Sequence, residues 1–404
     1  MKKTVALIGT FDSKGKEFDY VRNILNSVGV DTFMVHTGVF EPTIAVDVNN
    51  DEVFLAAGAD KDAIVAKRDR AEATATLAKG VEVLLPKLYA EGRFDGVLSF
   101  GGTGGTSIAT PGMRALPVGV PKLMVSTVAS GNVSQYVGTS DILMMPSIVD
   151  VSGLNSISTR IFTNAAFAMA GMVNYEFKST LTKKPLIGAT MFGVTTPHIE
   201  KAKAYLEDQG YEVLVFHATG TGGKTLEALV ESGYFEGVLD ITTTEWCDEL
   251  VGGVLAAGPN RLEAAGRNAI PQVVSVGALD MVNFGPYDSI PKQFEGRNFY
   301  KHNPTVTLMR TTVEENKKLG EIIAKKLNAA TGKTALFLPL KGVSMIDVEG
   351  QPFYGKEEDE MLFQTIRELI DPKVVELVEM DLDINHDDFA LATAKKLVEY
   401  LKGE

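Results

Sequence analysis

The stretch VFHATGTGGKTLEAL, residues 215–229, has the residue types and the spacing of a Walker A phosphate loop. In such a loop glycine amides surround a phosphate, a lysine reaches the outer phosphates and a hydroxyl holds Mg²⁺. Apolar residues before the loop predict a strand and the residues after it predict a helix, a context in which anions bind. Asp240, in the apolar run GVLDI, is available as a second acid for the metal. The alternative is a glycine-rich turn that carries a lysine. The matching residues are Ala218, Gly223, Lys224 and Thr225.

A second glycine-rich segment, VLSFGGTGGTSIATPG at residues 97–112, gives a stronger phosphate signal. A strand is predicted to end at Phe100 and a helix to follow the glycines. Glycines let a backbone approach an anion closely, and threonine hydroxyls add hydrogen-bond donors. A simple turn would not need four glycines, so we predict that this run binds phosphate groups. Its residues are Gly101, Gly102, Thr103, Gly104, Gly105 and Thr106.

The loop after the predicted first strand, in LIGTFDSKGKEFDYV, is a third candidate. Open parallel sheets bind ligands at the carboxyl ends of their strands, where Thr10 and Ser13 lie. Asp12 or Ser13 is suited to cap the following helix. A lysine is disfavoured at a helix N-terminus unless an anion lies nearby, so we predict that Lys14 contacts one. Asp12 would then hold Mg²⁺ beside the phosphates.

Polar residues also cluster in the second half of the chain. In one interpretation Asp280, His302 and Arg310 are catalytic, combining acid–base chemistry with an arginine clamp for a carboxylate or phosphate. In the other, the cluster ties down a long segment through buried hydrogen bonds, and both interpretations stay open. The remaining members of the cluster are Glu245, Asn283, Arg297, Asn303 and Glu314.

Composition bounds the class of protein. A chain of 404 residues exceeds what one hydrophobic core usually organises, so we expect two domains. A net charge of -13 argues against a nucleic-acid or anionic-membrane partner, because both require basic surface. The single cysteine, Cys247, excludes an internal disulfide. No run approaches the ~18 apolar residues of a membrane helix, so we expect a soluble, cytoplasmic protein.

Short apolar strands alternate with helical patterns, which predicts an α/β fold with parallel strands and right-handed crossovers. The first strands are TVALIG, DTFMVHTG, FDGVLSF and PKLMVST. The same order returns after residue 184, where LIG, FHATG, FEGVL and IPQVVSV answer to LIG, VHTG, FDGVL and VPKLMVS. An internal duplication therefore predicts two Rossmann-like parallel-sheet subdomains, residues 1–182 and 183–404. A helix from Asn155 to about Phe177 is predicted to bridge them.

The second half carries a C-terminal extension without counterpart beyond Gly285. Its predicted helices lie near residues 314–327, 357–370 and 389–401. The repeat also bears on the Walker-like loop, which follows the second strand of its unit, whereas a P-loop ordinarily follows the first. This position favours a glycine-rich turn over a true phosphate loop.

Six segments run nearly end to end and carry a family resemblance: GTFDSKG, SFGGTGGTS, HATGTGG, ALDMVNFG, HNPTVTLMRTT and PLKGVSMIDVEGQPF. On them the chain resembles an uncharacterised bacterial protein family related to the N-terminal inhibitory domain of the tomato mosaic virus resistance protein, a family named for an ATP-binding domain. The resemblance implies a homodimer that holds ATP and Mg²⁺ on Thr10, Asp12, Ser13 and Lys14 and on residues 101–106. The family pattern often lacks a lysine at position 224 and usually has an acid after the second strand, where this chain has His36.

Two functions are compatible with these features. The first is an ATP- and Mg²⁺-dependent enzyme acting on a small acidic or sugar-like metabolite, held in an interdomain cleft against Asp280, His302 and Arg310. The second is a nucleotide-binding regulatory module that contacts a protein partner without turnover. Exposure of the polar cluster toward the nucleotide would favour the enzyme, and its burial beneath the extension would favour the module.

Overall fold

The computed structural model describes residues 2–175 and 183–403. The chain divides into two compact units, Met1–Thr180 and Leu181–Glu404, referred to below as unit 1 and unit 2. The predicted end of the bridging helix at Phe177 and the last residue of the predicted first subdomain, residue 182, lie outside the described residues.

Unit 1 is built on a five-stranded parallel sheet in the order β2-β1-β3-β4-β5. Its strands are short runs of apolar residues, and the inner three are buried on both faces, as parallel strands covered by helices must be. The strands are β1 (Thr4–Gly9), β2 (Asp31–His36), β3 (Gly96–Gly101), β4 (Lys122–Ser126) and β5 (Leu143–Pro146). The helices are α1 (Phe11–Ser27), α2 (Asn50–Ala56), α3 (Lys61–Lys67), α4 (Arg70–Ala90), α5 (Thr103–Ala115), α6 (Ser134–Val137) and α7 (Ser156–Asn174).

Helices cover both faces of this sheet. On one face α1 and α7 pack apolar side chains such as Phe18 and Phe162 against the strands. On the other face α4 and α5 contribute Leu77 and Ile108. Because the helix after β1 and the helix after β3 lie on opposite faces, the loops that follow these two adjacent strands separate and leave a crevice.

Unit 2 contains a six-stranded parallel sheet in the order β14-β13-β9-β8-β6-β7 and a three-stranded sheet in the order β10-β12-β11. The smaller sheet is antiparallel. The strands are β6 (Leu186–Met191), β7 (Glu212–His217), β8 (Gly237–Thr242), β9 (Gln272–Gly277), β10 (Met281–Phe284), β11 (Phe299–Asn303), β12 (Val306–Arg310), β13 (Thr334–Pro339) and β14 (Val375–Met380). The helices are α8 (Thr196–Asp208), α9 (Thr221–Glu231), α10 (Glu245–Val251), α11 (Ala264–Arg267), α12 (Val313–Leu327), α13 (Lys356–Leu369) and α14 (Asp387–Lys402).

The two parallel sheets repeat one strand order, which confirms the predicted pair of Rossmann-like subdomains. When the strands of each parallel sheet are numbered in chain order, the second strand lies at one edge, followed by the first, third, fourth and fifth. Three of the four sequence matches coincide in the structure: VHTG and FHATG span the ends of matching strands, and the pairs FDGVL/FEGVL and VPKLMVS/IPQVVSV span the starts of matching strands. The fourth match is out of register, since LIG ends β1 but begins β6.

The extension after Gly285 contains the three helices predicted from its periodicity, α12, α13 and α14. It also adds β13 and β14 to the parallel sheet and supplies β11 and β12 of the antiparallel one. The sequence interpretation did not include these strands. Within the part of the chain that the structure describes, no helix is long and apolar enough to cross a membrane.

Candidate functional site

A cavity of about 1140 Å³ lies at the carboxyl ends of the unit 1 strands. The loops after β1 and β3 contribute to its wall, at the crevice where the strand order reverses. The cavity is lined by nine of the ten residues predicted to bind the cofactor: Thr10, Asp12, Ser13, Lys14, Gly101, Gly102, Thr103, Gly104 and Gly105.

The glycine run after β3 presents open backbone donors to this cavity. Helix α5 begins at Thr103, and its N-cap residue, Gly102, has no side chain to accept from the first amides. The N–H groups of Thr103, Gly104 and Gly105 belong to the first turn, where helix geometry supplies no acceptor. A Cβ atom built on Gly104 would have Arg70 Nη2 as its nearest neighbour, at 3.7 Å. The space above Gly104 is therefore open to a ligand.

Thr106, the tenth predicted residue, does not line the cavity. Its side chain is fully buried, and its hydroxyl oxygen lies 2.8 Å from the carbonyl oxygen of Gly102 and 2.6 Å from Ser126 Oγ. Thr106 thus fixes the first turn of α5 against β4.

The loop after β1 brings an acidic and a basic side chain, Asp12 and Lys14, to the same cavity. Asp12 Oδ2 accepts a hydrogen bond of 3.1 Å from the backbone nitrogen of Phe40, while Asp12 Oδ1 is buried with no partner among the described residues. The backbone of Lys14 leaves the helical region, with φ -124° and ψ 17°, at a kink in α1. Since the ion pairs of the described residues do not include Lys14, its ammonium is available to an anion.

His36, at the end of β2, is hydrogen-bonded both to the loop after β1 and to the loop after β2. Its ring is buried, and Nδ1 accepts hydrogen bonds from the backbone nitrogens of Phe11, at 3.1 Å, and Gly38, at 3.4 Å. With Nδ1 accepting, Nε2 carries the proton and donates to the carbonyl oxygen of Phe40 at 2.7 Å. His36 therefore positions the residues around Asp12, and its ring does not face a ligand.

Two arginines of this cavity, Arg68 and Arg70, were missed by the sequence interpretation. They flank the junction of α3 and α4 in the run KRDRAEA, which has the composition of an ordinary solvated helix surface. Helices α4 and α5 pack side by side, and Gly112 permits the close approach, since a Cβ there would lie 2.5 Å from Val81 Cγ1. This packing brings the start of α4 next to the start of α5. No local sequence signal reveals such a juxtaposition.

The Walker-like loop in unit 2 holds a carboxylate of the protein itself. Glu245 Oε1 accepts hydrogen bonds from the backbone nitrogens of Gly220, at 2.7 Å, and Gly223, at 3.0 Å. Its other oxygen accepts from Arg261 Nε at 2.7 Å. A Cβ on Gly223 would lie 2.1 Å from Glu245 Oε2, so the glycine makes room for the glutamate. Lys224 is exposed beside this filled anion position.

The acid considered as a second metal ligand, Asp240, is also engaged. Its two carboxylate oxygens accept from Arg261 Nη1 and Nη2 at 2.5 and 2.7 Å. Arg261 is only 1% exposed, and it also pairs with Glu227 at 3.2 Å. The loop, Glu245, Asp240 and Arg261 form one buried ion network, here named the Arg261 network.

Of the three predicted catalytic residues, the structure brings two into one buried network and leaves the third outside it. Arg310 Nη2 lies 3.0 Å from Asp347 and 2.7 Å from Asp359, and its Nε donates to the carbonyl oxygen of Phe353. Asp280 is fully buried and accepts from Ser344 Oγ at 2.8 Å. His302, in contrast, is exposed on β11.

Burial dominates the electrostatics of this second network, named here the Arg310 network. It raises the pKa of Asp280 to about 6, against the opposing attraction of Arg310. Burial likewise raises the pKa of Asp347 to about 10, with repulsion from Asp280 and Asp359 adding to the effect. A single guanidinium among these acids favours a shared proton, as expected for a buried structural network.

Two family models cover the chain. The N-terminal domain of the uncharacterised protein family UPF0261 matches residues 3–178, and the C-terminal domain of the same family matches residues 184–401. The chain belongs to the UPF0261 family. A UPF0261 protein of Clostridium tetani is 52% identical over 403 residues and is covered completely, as is this chain. A UPF0261 protein of Mesorhizobium japonicum is 44% identical, with 97% of this chain and 98% of that protein covered.

The chain is also similar to the plant relative anticipated from the sequence. The tomato ToMV resistance protein Tm-1(GCR237) is 41% identical over 417 residues, with 98% of this chain covered. This chain spans 55% of the length of the tomato protein. The recognition made from six sequence segments is thereby confirmed.

Proposed function

We propose that unit 1 binds ATP together with Mg²⁺ in the cavity at the carboxyl ends of β1 and β3. One observation carries the proposal: the open first-turn amides of α5 and three cations without acidic partners among the described residues line a single cavity. Helix N-termini attract anions, and phosphate oxygens accept from both amides and cations. The cations are Lys14, Arg68 and Arg70.

The nucleoside has a suitable wall in the same cavity. Ile64, Leu77 and Ile108 supply apolar side chains against which a base ring can pack. The resemblance to a family named for an ATP-binding domain supports adenosine as the nucleoside. The resistance role in the name of the tomato protein belongs to that protein.

Asp12 is the residue that would hold Mg²⁺. Its Oδ1 is buried and lacks a partner among the described residues, as a metal ligand without its metal would be. No group of three acidic, histidine or cysteine side chains that could hold a metal occurs in residues 2–175 and 183–403. A lone carboxylate suits Mg²⁺, which commonly takes one or two protein carboxylates and completes its shell with phosphates and water. When bound, the ion would neutralise phosphate charge.

Two modes of action follow from nucleotide binding. Burial of Asp280 and Arg310 within unit 2 supports the regulatory module, which binds nucleotide and a protein partner without turnover. The enzyme alternative, acting on a small acidic or sugar-like metabolite, is supported by Asp150. This exposed side chain lines the cavity with no ion-pair partner among the described residues and is available as a base.

A homodimer is the proposed assembly. The family resemblance supports it, and so do exposed apolar side chains on α7 and on the residue after it. Ile157, Phe167 and Tyr175 are 45%, 51% and 72% exposed. Exposed apolar side chains of this kind suit contact with a second copy of the chain.

Calorimetric titration of ATP into the protein, with and without Mg²⁺, tests the binding proposal. We expect saturable 1:1 binding per chain that is tighter with Mg²⁺, and an Asp12→Asn variant that loses most of the Mg²⁺ effect. Absence of binding at millimolar ATP would contradict the proposal. Phosphate release in the presence of ATP, Mg²⁺ and a panel of sugar acids and keto acids separates the enzyme from the module.

A further inference from the structure

Unpaired arginines are concentrated at the unit 1 cavity. The chain has eleven arginines, all within the described residues, and eight of them contact a carboxylate, a backbone carbonyl or an aromatic ring. The other three are Arg68, Arg70 and Arg160, and two of these line the same cavity. Exposed arginines commonly find acids in so acidic a chain, so this pair is positioned for a ligand that the protein alone does not supply.

The backbone conformation at the junction of α3 and α4 positions the side chains of Arg68 and Arg70. Arg68 caps the end of α3 in the left-handed region, with φ 53°, which turns the chain sharply into α4. Asp69 then satisfies the first amides of α4 by accepting from Ala71 and Glu72 at 2.8 and 3.1 Å. Helix α4 therefore needs no external anion for itself. Arg70, the first residue of α4, is therefore available to an anion at the start of the neighbouring helix α5.

Arg70 faces the site where the phosphates are proposed to lie. Its Nη2 is the nearest atom to the open space above Gly104, where a Cβ would lie 3.7 Å from it. A guanidinium opposite a helix N-terminus encloses an anion from two sides, with donors in a planar fork that matches phosphate oxygens.

We infer that Arg70, assisted by Arg68, is a clamp on the phosphate chain and makes this cavity selective for nucleoside triphosphates over monophosphates. The inference rests on the proposed nucleotide function and adds a specificity that the glycine run alone does not provide. Amides of α5 can hold one phosphate group of any nucleotide. Three cations come from two separate segments, with Lys14 after β1, Arg68 at the end of α3 and Arg70 at the start of α4, and suit a longer and more highly charged phosphate chain.

The test is calorimetric titration of ATP, ADP and AMP, each with Mg²⁺, into the wild type and three variants. Arg70→Met removes the charge but keeps much of the side-chain volume, and Arg70→Lys restores a charge without the fork. Arg160→Met is the matched control, since Arg160 is also exposed and has no ion pair among the described residues but lies on α7 outside the cavity. Thermal unfolding first establishes that each variant is folded.

We expect Arg70→Met to weaken ATP about tenfold to a hundredfold and AMP less than about threefold. Arg70→Lys should recover part of the loss, and Arg160→Met should bind as the wild type does. Wild-type ATP affinity in Arg70→Met, or equal losses for ATP and AMP, would overturn the clamp while leaving nucleotide binding intact. A wild-type protein that binds none of the three nucleotides would instead overturn the proposed function itself.

Discussion

Glu245 accepts a hydrogen bond of 2.7 Å from the backbone nitrogen of Gly220, at the start of helix α9. A Walker A loop would hold a phosphate at this position, and here the protein places its own carboxylate. The negative charge of Glu245 complements the helix N-terminus, and Arg261 compensates the charge from the other side. The two units therefore share a strand order but differ at their glycine-rich loops, one open to a cavity and the other filled.

Removing Glu245 should destabilise unit 2. In Glu245→Ala the buried guanidinium of Arg261 loses one of its acids, and the amides of Gly220 and Gly223 lose their acceptor. Breaking a buried charge pair from one side costs about 3 to 5 kcal/mol. Urea unfolding of the variant should show a loss of that size, whereas Lys224→Ala, at an exposed position, should change stability by less than about 0.5 kcal/mol. Equal effects of the two substitutions would argue against the Arg261 network as a structural element.

Arg310 is expected to serve the fold. Arg310→Met leaves Asp347 and Asp359 without their cation and should lower stability by about 3 to 5 kcal/mol. His302→Ala, on the exposed face of β11, is the control and should lower it by less than about 0.5 kcal/mol. Unfolding midpoints measured in parallel decide the matter. An unchanged midpoint for Arg310→Met would return the residue to the list of catalytic candidates.

Acid should weaken the packing of helix α14 through His198. This ring is fully buried between the carbonyl oxygen of Ile384 and the hydroxyl of Thr393, and burial lowers its pKa to about 4. Since the unfolded pKa is about 6.5, the stabilisation is complete above pH 6.5 and is lost as pH falls from 6.5 to 4, by roughly 3 kcal/mol. Unfolding free energies of the wild type and His198→Gln, measured at intervals across this range, should converge as the pH falls. A constant difference between them would contradict the assignment.

The dimer proposal can be separated from folding by two matched substitutions in unit 1. Phe167→Glu places a charge at an exposed apolar position of α7 and should yield a monomer by light scattering at micromolar concentration. Leu55→Glu, at a position on α2 that is 78% exposed, should leave the mass of a dimer. A monomeric wild type would remove the proposal, and a dimeric Phe167→Glu would place the interface elsewhere.

The strands of the parallel sheets and several helices could be predicted because each is specified by a short, continuous stretch of sequence. Apolar runs ending in glycine or polar residues identified β1, β3 and β4, and helical periodicity identified α12 and α13. The antiparallel strands β10, β11 and β12 were missed because their residues had been interpreted as a polar cluster. Arg310 is the last residue of β12, where its side chain is buried against partners up to 49 positions away in sequence.

The candidate site was predictable only in part for the same physical reason. Glycines and hydroxyls near a strand end are visible in the chain itself, so Thr10, Asp12, Ser13, Lys14 and residues 101–105 were predicted, and all of them line the cavity. Arg70 reaches the site through the packing of α4 on α5, and Glu245 fills the Walker-like loop from 22 residues beyond Gly223. Contacts of that kind depend on tertiary structure and leave no periodic signal.

The central claim is that ATP binds through the open amides of unit 1 and not through the Walker-like loop of unit 2. Gly104→Val tests it well, since the nearest atom to its new Cβ is a flexible arginine terminus at 3.7 Å and the chain should fold unchanged. Titration calorimetry with ATP and Mg²⁺ should show that Gly104→Val abolishes binding, whereas Lys224→Ala binds within about twofold of the wild type. In a working P-loop the lysine contact is worth roughly 1.5 to 3 kcal/mol, or about one to two decades of affinity. Normal binding by Gly104→Val together with loss of binding in Lys224→Ala would contradict the claim and assign the nucleotide to unit 2.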